Sequence, residues 1–335
     1  MRNSIAFLGS ILICSLGFGQ EIRSIDTLHF TTEKSYSRIV ARYSKNELVF
    51  GTSKTGVILY NEKTKQVKTL IQPVSCGEFR DLIVNGKKIY TCVSGDSAII
   101  YKINGKKITE LYRDRGFIDD LVLKGKRNLV MLSDPLIETN LIVTRIDVNK
   151  STVYAYGPFK GVKGEAFYAA SGTTSQLIGE TYYFVSGGPN NATFYSGRIF
   201  GYEPLASSQL PLPKAEGAGP FSIFMLDEKN GVIVGGNYTK PNMSDSTAVY
   251  TTNGGLTWHL SEKQPNGYRS CVTGDPTILF SCGTNGIDYS SDGGKTWSFF
   301  AAGNFCALLL EKNTLYATTN KGYCLRIHLK FKMEN

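Results

Sequence analysis

Histidine and tryptophan are the scarcest functional side chains here, with 3 His and 2 Trp in 335 residues. His29, His259 and His328 stand far apart, without the paired spacing that metal ligation needs, so no metal and no cofactor are expected. A second long apolar run is also missing. Beyond the N-terminus nothing approaches the roughly 20 residues of a membrane-spanning helix, so a mature chain without a transmembrane segment is expected. No Gly-x-Gly-x-x-Gly opens a helix. Gly294-Lys295-Thr296 resembles the end of a phosphate loop, but Tyr289 stands where that loop needs glycine. No Gly-x-Ser-x-Gly elbow supports a serine nucleophile. The formal charge of +9 comes with no basic helix or aromatic–basic motif, which argues against nucleic acid as a partner. Lys87–Lys88 and Lys106–Lys107 fall in Asn-Gly-Lys-Lys turns, where solvated loop tips explain them.

The N-terminus has the form of an export signal. Arg2 supplies a short positive region, and Ile5 to Phe18 is apolar but too short to span a bilayer. Gly17 and Gly19 set up cleavage before Gln20, whereas Cys14 follows Ile13, where a lipoprotein site wants a small residue. Residues 1–19 are therefore expected to be a signal peptide and 20–335 a single periplasmic or extracellular domain. Six of the 7 cysteines would remain, in a compartment that permits disulfides. Cys271 and Cys282, on consecutive expected strands, form the best-placed pair; buried free thiols are the alternative reading.

What the chain has in quantity is glycine, 35 residues, and aromatics at 12%. These accompany self-similar units of strand, turn, strand, Gly-rich corner, strand, turn and strand. Clear copies run from Arg38 to Tyr60, Arg80 to Tyr101 and Tyr268 to Tyr289, with weaker copies starting near Phe117, Glu165, Phe221 and Asn304. Seven units over 316 residues, about 45 each, match four-stranded propeller blades. Loop insertions are expected at Pro135–Asn140, Pro189–Thr193 and Tyr238–Ser246. The last unit has only three strands, so Glu21–Thr31 is expected to close it as an outer strand. The expectation is an all-β, seven-bladed propeller, closed by its N-terminal strand and monomeric.

Two copies of one turn stand out, Thr251-Thr252-Asn253-Gly254-Gly255-Leu256-Thr257-Trp258 and Ser290-Ser291-Asp292-Gly293-Gly294-Lys295-Thr296-Trp297. Both fit the Asp-box pattern of sialidase-like propellers. Asn253 or Asp292 can accept backbone N–H bonds, Gly255 and Gly294 can take positive φ, and Trp258 and Trp297 can plug the space beneath. Such turns mark architecture at the blade periphery. The chain more widely resembles the bacterial photosystem II stability/assembly factor-like propellers with BNR (Asp-box) repeats. The resemblance is clearest in Gly164–Gly172, Val185–Gly188, Gly267–Val272 and Ser281–Gly283. It implies a seven-bladed ring without an established reaction; the "oxidoreductase" label that many members carry has no cofactor motif behind it here. The first two blades lack the motif at Asn61–Lys65 and Lys102–Lys106, where ordinary hairpin turns are expected.

Residues entering the innermost strands line one mouth of a propeller channel. Arg38, Arg80 and Arg269 align there, with Glu165 and Asp119 or Asp120 in other units. Three guanidiniums could converge on a carboxylate or phosphate, or each could pair with Glu78, Asp81 or Glu165 between blades. A sialidase-like hydrolase or lyase would add a Tyr–Glu pair and an acid, for which Tyr268, Tyr168, Glu165 and Asp134 are the candidates. The leading expectation is a non-catalytic scaffold holding a protein, anionic or carbohydrate ligand at one face.

Overall fold

A computed structural model describes residues 20–31, 35–135, 140–168, 170–199 and 204–331. The expected signal peptide lies outside them. The described residues form seven four-stranded antiparallel sheets and no helix. Blade one is β2 (Ser37–Ser44), β3 (Glu47–Thr52), β4 (Val57–Asn61) and β5 (Val67–Ile71), running outward in that order. Blade two runs from β6 (Gly77–Asn85) to β9 (Lys107–Asp114), and blade three from β10 (Ile118–Lys124) to β13 (Thr152–Lys160). Blade four runs from β14 (Ser175–Ile178) to β17 (Ala206–Gln209), five from β18 (Ala218–Met225) to β21 (His259–Leu260), and six from β22 (Cys271–Gly274) to β25 (Ser298–Ala301).

Blade seven takes β26 (Phe305–Glu311), β27 (Thr314–Thr319) and β28 (Tyr323–Phe331) from the C-terminus. Its outer strand is β1 (Gln20–His29), with Ile25 opposite Ile327 and Leu28 opposite Cys324. The expected closure by the N-terminal segment is therefore present. Across the blade one–seven seam, Arg42 binds Glu311 (2.7 Å) and Tyr316 (2.6 Å), and Arg326 binds Glu62 at 3.2 Å.

Alternation along each strand explains how the ring holds together. In β3, Leu48 and Phe50 face blade seven while Val49 between them faces blade two, and all three are fully buried. The period-2 side-chain pattern thus feeds two interfaces at once. One apolar cluster fills each of the seven gaps between neighbouring blades. Each fully buried Val, Leu or Phe contributes about 1.5–3 kcal/mol, so these interfaces carry the stability of the ring.

The two Gly-Gly-x-Thr-Trp turns join the third and outermost strands of blades five and six. Thr251 Oγ accepts from Gly255 N (3.0 Å), and Asn253 Oδ1 accepts from Thr257 N (3.0 Å). Ser290 and Asp292 repeat this with Gly294 and Thr296 at 2.9 Å each. The tryptophans reach further than beneath their own turns. Trp258 meets Phe194 of blade four edge-on at 5.1 Å, and Trp297 sits among Val232, Val234 and Ala248 of blade five. The turns are clasped from the preceding blade as well, by Ser208 Oγ to Gly255 O (2.8 Å) and Ser261 Oγ to Gly294 O (2.6 Å).

In blades one and two, side-chain and glycine turns do the same task. Asn61 Oδ1 accepts from Lys63 N and Thr64 N at 3.0 Å, and Gly105 turns at φ +64°. Of the expected insertions, Tyr238–Ser246 is a loop between β19 (Gly231–Asn237) and β20 (Ala248–Thr251), and most of Pro135–Asn140 lies outside the described residues. Pro189–Thr193 is not an insertion, because its last two residues already belong to β16 (Ala192–Arg198).

Candidate functional site

A recurrent β-bulge builds the channel mouth. The first strand of five blades slips register by one residue just inside its start, at Arg38, Arg80, Asp119, Phe221 and Cys306. An unpaired bulge residue is turned out of the ladder, here toward the ring axis. Four of these five line a single pocket of ≈ 490 Å³, to which all seven blades contribute.

One wall is cationic. Arg38 and Arg80 come from adjacent blades and share Glu78, whose Oε2 lies 3.8 Å from Arg38 Nε and 3.2 Å from Arg80 Nη2. Tyr36 donates its hydroxyl to the other oxygen of Glu78. Each guanidinium also lies over a ring at 4.9 Å, Arg38 over Tyr36 and Arg80 over Phe117. Burial and the neighbouring Arg38 charge pull the Arg80 guanidinium below its ordinary value. The Arg38 side chain remains 28% exposed to the pocket and reaches Ala170 O at 3.5 Å.

The facing wall is aromatic. Tyr168 stacks on Phe221 with centroids 4.1 Å apart, and Tyr268 meets the same ring edge-on at 4.8 Å. Tyr238 adds a second edge at 6.4 Å. Burial pushes the Tyr168 phenol up to about 12 and Tyr268 higher still, so both stay neutral hydroxyls. Cys306 is raised by burial to about 11 and stays a thiol.

The expected arginine triad is therefore a pair. Arg269 is 0% exposed and binds Asp288 through Nε at 2.6 Å and through Nη2, with Nη1 held by Tyr268 O at 2.8 Å. Ser270, not Arg269, precedes the residue paired with the second strand (Cys271 with Cys282), as Arg80 precedes Asp81, paired with Cys92. One residue of slip turns a side chain to the other face, so Arg269 enters the interior and Ser270 lines the pocket.

The hydrolase candidates do not converge. Glu165 is 5% exposed and accepts from Val162 N (2.7 Å), the Tyr195 hydroxyl (2.7 Å) and Ser186. Asp134 accepts from Phe167 N at 2.8 Å, and burial raises its carboxyl to about 6. Tyr268 does line the pocket, but no Glu165–Tyr268 contact accompanies it. Asp119 is buried, and Asp120 accepts from Ser175 N. Cys271 and Cys282 face each other across two strands as buried free thiols. No cluster of three metal-ligating side chains occurs among the described residues. The part that Phe221 and Tyr238 play in the aromatic wall, and Phe117 beneath Arg80, was not foreseen; the one sequence signal is Phe221 at the bulge position that Arg38 holds elsewhere.

No protein-family model and no curated protein matches the chain. Among solved structures, it is similar to the WD40 β-propeller domain of Doa1, with TM-score 0.66 and 7% identity over 92% of this chain and 96% of that one. YCF48 bound to D1 peptide gives TM-score 0.65 and 11% identity over 96% and 100%. Virginiamycin B lyase from Staphylococcus aureus gives 0.60 and 12% over 91% and 99%. The chain is a seven-bladed β-propeller. Identities this low carry the fold alone, and a fold that serves binding proteins and a lyase does not decide function.

Proposed function

We propose that this chain is an exported, non-catalytic binding or assembly scaffold whose axial mouth holds a protein segment or anionic ligand through Arg38 and Arg80. One observation carries the reading: two guanidiniums from adjacent blades open into the same aromatic-walled pocket at the ring axis. A planar fork of donors suits a carboxylate, and aromatic rings supply contact area at small conformational cost. The peptide named in the YCF48 structure supports a peptide as one such ligand. A hydrolytic role finds no support in Glu165 and Asp134, whose oxygens cap backbone N–H groups.

The test is a peptide array with free and amidated C-termini, probed with wild type and the Arg38→Gln/Arg80→Gln double variant at matched thermal stability. Carboxylate-dependent binding that disappears in the double variant is expected; equal binding by both proteins overturns the reading. Export is tested separately, since a mature N-terminus at Gln20 in the extracytoplasmic fraction is the expected result.

A further inference from the structure

The charge of the mouth and its walls both constrain an occupant. On one wall of the pocket stand the Arg38 and Arg80 guanidiniums with the Glu78 carboxylate they share. Tyr36, Tyr168, Tyr268 and Cys306 are held neutral, each raised by burial above its ordinary value. Two guanidiniums on one carboxylate leave that wall with a surplus of one positive charge.

That charge is unevenly committed. Glu78 sits closer to Arg80 (3.2 Å) than to Arg38 (3.8 Å), and the Arg38 side chain is the more exposed, 28% against 20%. Arg38 is thus the less closely paired and more open guanidinium, and it stands next to the aromatic wall. It touches Ala170 O, and its charge is the strongest one acting on Tyr268. The wall is a small assembly of rings from three blades, with Phe221 between the Tyr168 face and the Tyr268 edge. Rings so arranged favour a flat, polarisable partner over an aliphatic one of equal size. The pocket volume, ≈ 490 Å³, falls in the range of about 300–1,000 Å³ for small-molecule sites.

We propose that the mouth is a site for a small, singly charged aromatic carboxylate, its anion on Arg38 and its ring against Tyr268 and Phe221, with Glu78 retained as the residue that limits the site to one negative charge. The inference rests on reading the mouth as a binding site, and it commits to a free small molecule rather than a peptide.

The probes are phenylacetate, cyclohexylacetate, phenyl phosphate and benzylamine, titrated into the mature chain at pH 8 by calorimetry with ligand-observed NMR. Phenylacetate should bind, cyclohexylacetate should be about 5-fold weaker or worse, phenyl phosphate no tighter than phenylacetate, and benzylamine silent. Arg38→Gln should weaken phenylacetate about 10-fold at an unchanged melting temperature, and Glu78→Gln should move the preference toward the doubly charged phosphate. Wild type binding cyclohexylacetate as well as phenylacetate, preferring phenyl phosphate, or ignoring all four overturns the inference. These comparisons use the wild-type chain and stand whether or not the variants fold. Peptides that bind through the arginine pair while phenylacetate does not would sink this inference and leave the scaffold reading intact.

Discussion

Replacing Asp134 by asparagine should stabilise the ring, and more so as pH rises. Asp134 sits after β11 (Asn128–Ser133), accepts the Phe167 N–H at 2.8 Å, and has its carboxyl raised by burial from 3.8 to about 6. The unfolded chain therefore ionises this group before the folded one does. Between about pH 4 and 6 the folded state holds more protons, so stability falls as pH rises through that window and then levels off. A shift of this size corresponds to a penalty of about 2 kcal/mol at pH 5 and about 3 kcal/mol at pH 8. Asparagine keeps an oxygen for the Phe167 N–H and removes the charge. It also relieves the repulsion that helps to raise the buried Asp119 carboxyl, an effect of the same sign. The gain from Asp134→Asn should thus be larger by about 1 kcal/mol at pH 8 than at pH 5.

Urea unfolding followed by tryptophan fluorescence reads this directly, because Trp258 and Trp297 both sit at blade interfaces. At an m-value of about 3 kcal/mol/M, the midpoint gap between variant and wild type should widen by ~0.3 M from pH 5 to pH 8. Other buried carboxyls are common to both proteins and largely cancel in that difference. A gap that is constant or shrinks with pH would refute the reasoning, since it would mean that the folded state does not hold Asp134 protonated above its ordinary value.

Three further outcomes are expected. Trp297→Ala should cost about 3–5 kcal/mol, because the ring is 1% exposed and fills the blade five–six interface; differential scanning calorimetry checks it. Gly294→Ala should also destabilise, as an added Cβ would meet Val232 Cγ2 at 2.4 Å from a backbone at φ +87°, and a melting temperature equal to wild type would contradict that packing. Arg269→Ala should cost about 3–5 kcal/mol by stranding buried Asp288, whereas Asp288 and Arg269 replaced together by apolar residues should recover much of it. Ligand binding at the mouth should survive in whichever Arg269 variant remains folded.

The architecture was legible because it is written in short-range patterns. Alternation such as Leu48-Val49-Phe50 repeats from unit to unit, and the three-strand tail announced that β1 must complete blade seven. The site was half legible, and Arg269 shows why. The hairpin after β6 closes with two residues between Asn85 and Lys88, whereas that after β22 needs four between Gly274 and Leu279. An alignment that matches the last paired residue before each turn, Asn85 with Gly274, therefore slips by one residue, and in a strand one residue exchanges the channel for the interior. Pairing of the first two strands supplies the right anchor, since Asp81 to Cys92 and Cys271 to Cys282 span the same interval. The bulge that aims Arg38, Arg80 and Phe221 at one another has no local sequence mark, as arginine, aspartate, phenylalanine and cysteine all occupy it. What makes a site of them is closure of the ring, which brings blades one and five to the same axis from positions about 180 residues apart in the chain. Contact at that range is set by the seven interfaces together, and no single unit encodes it.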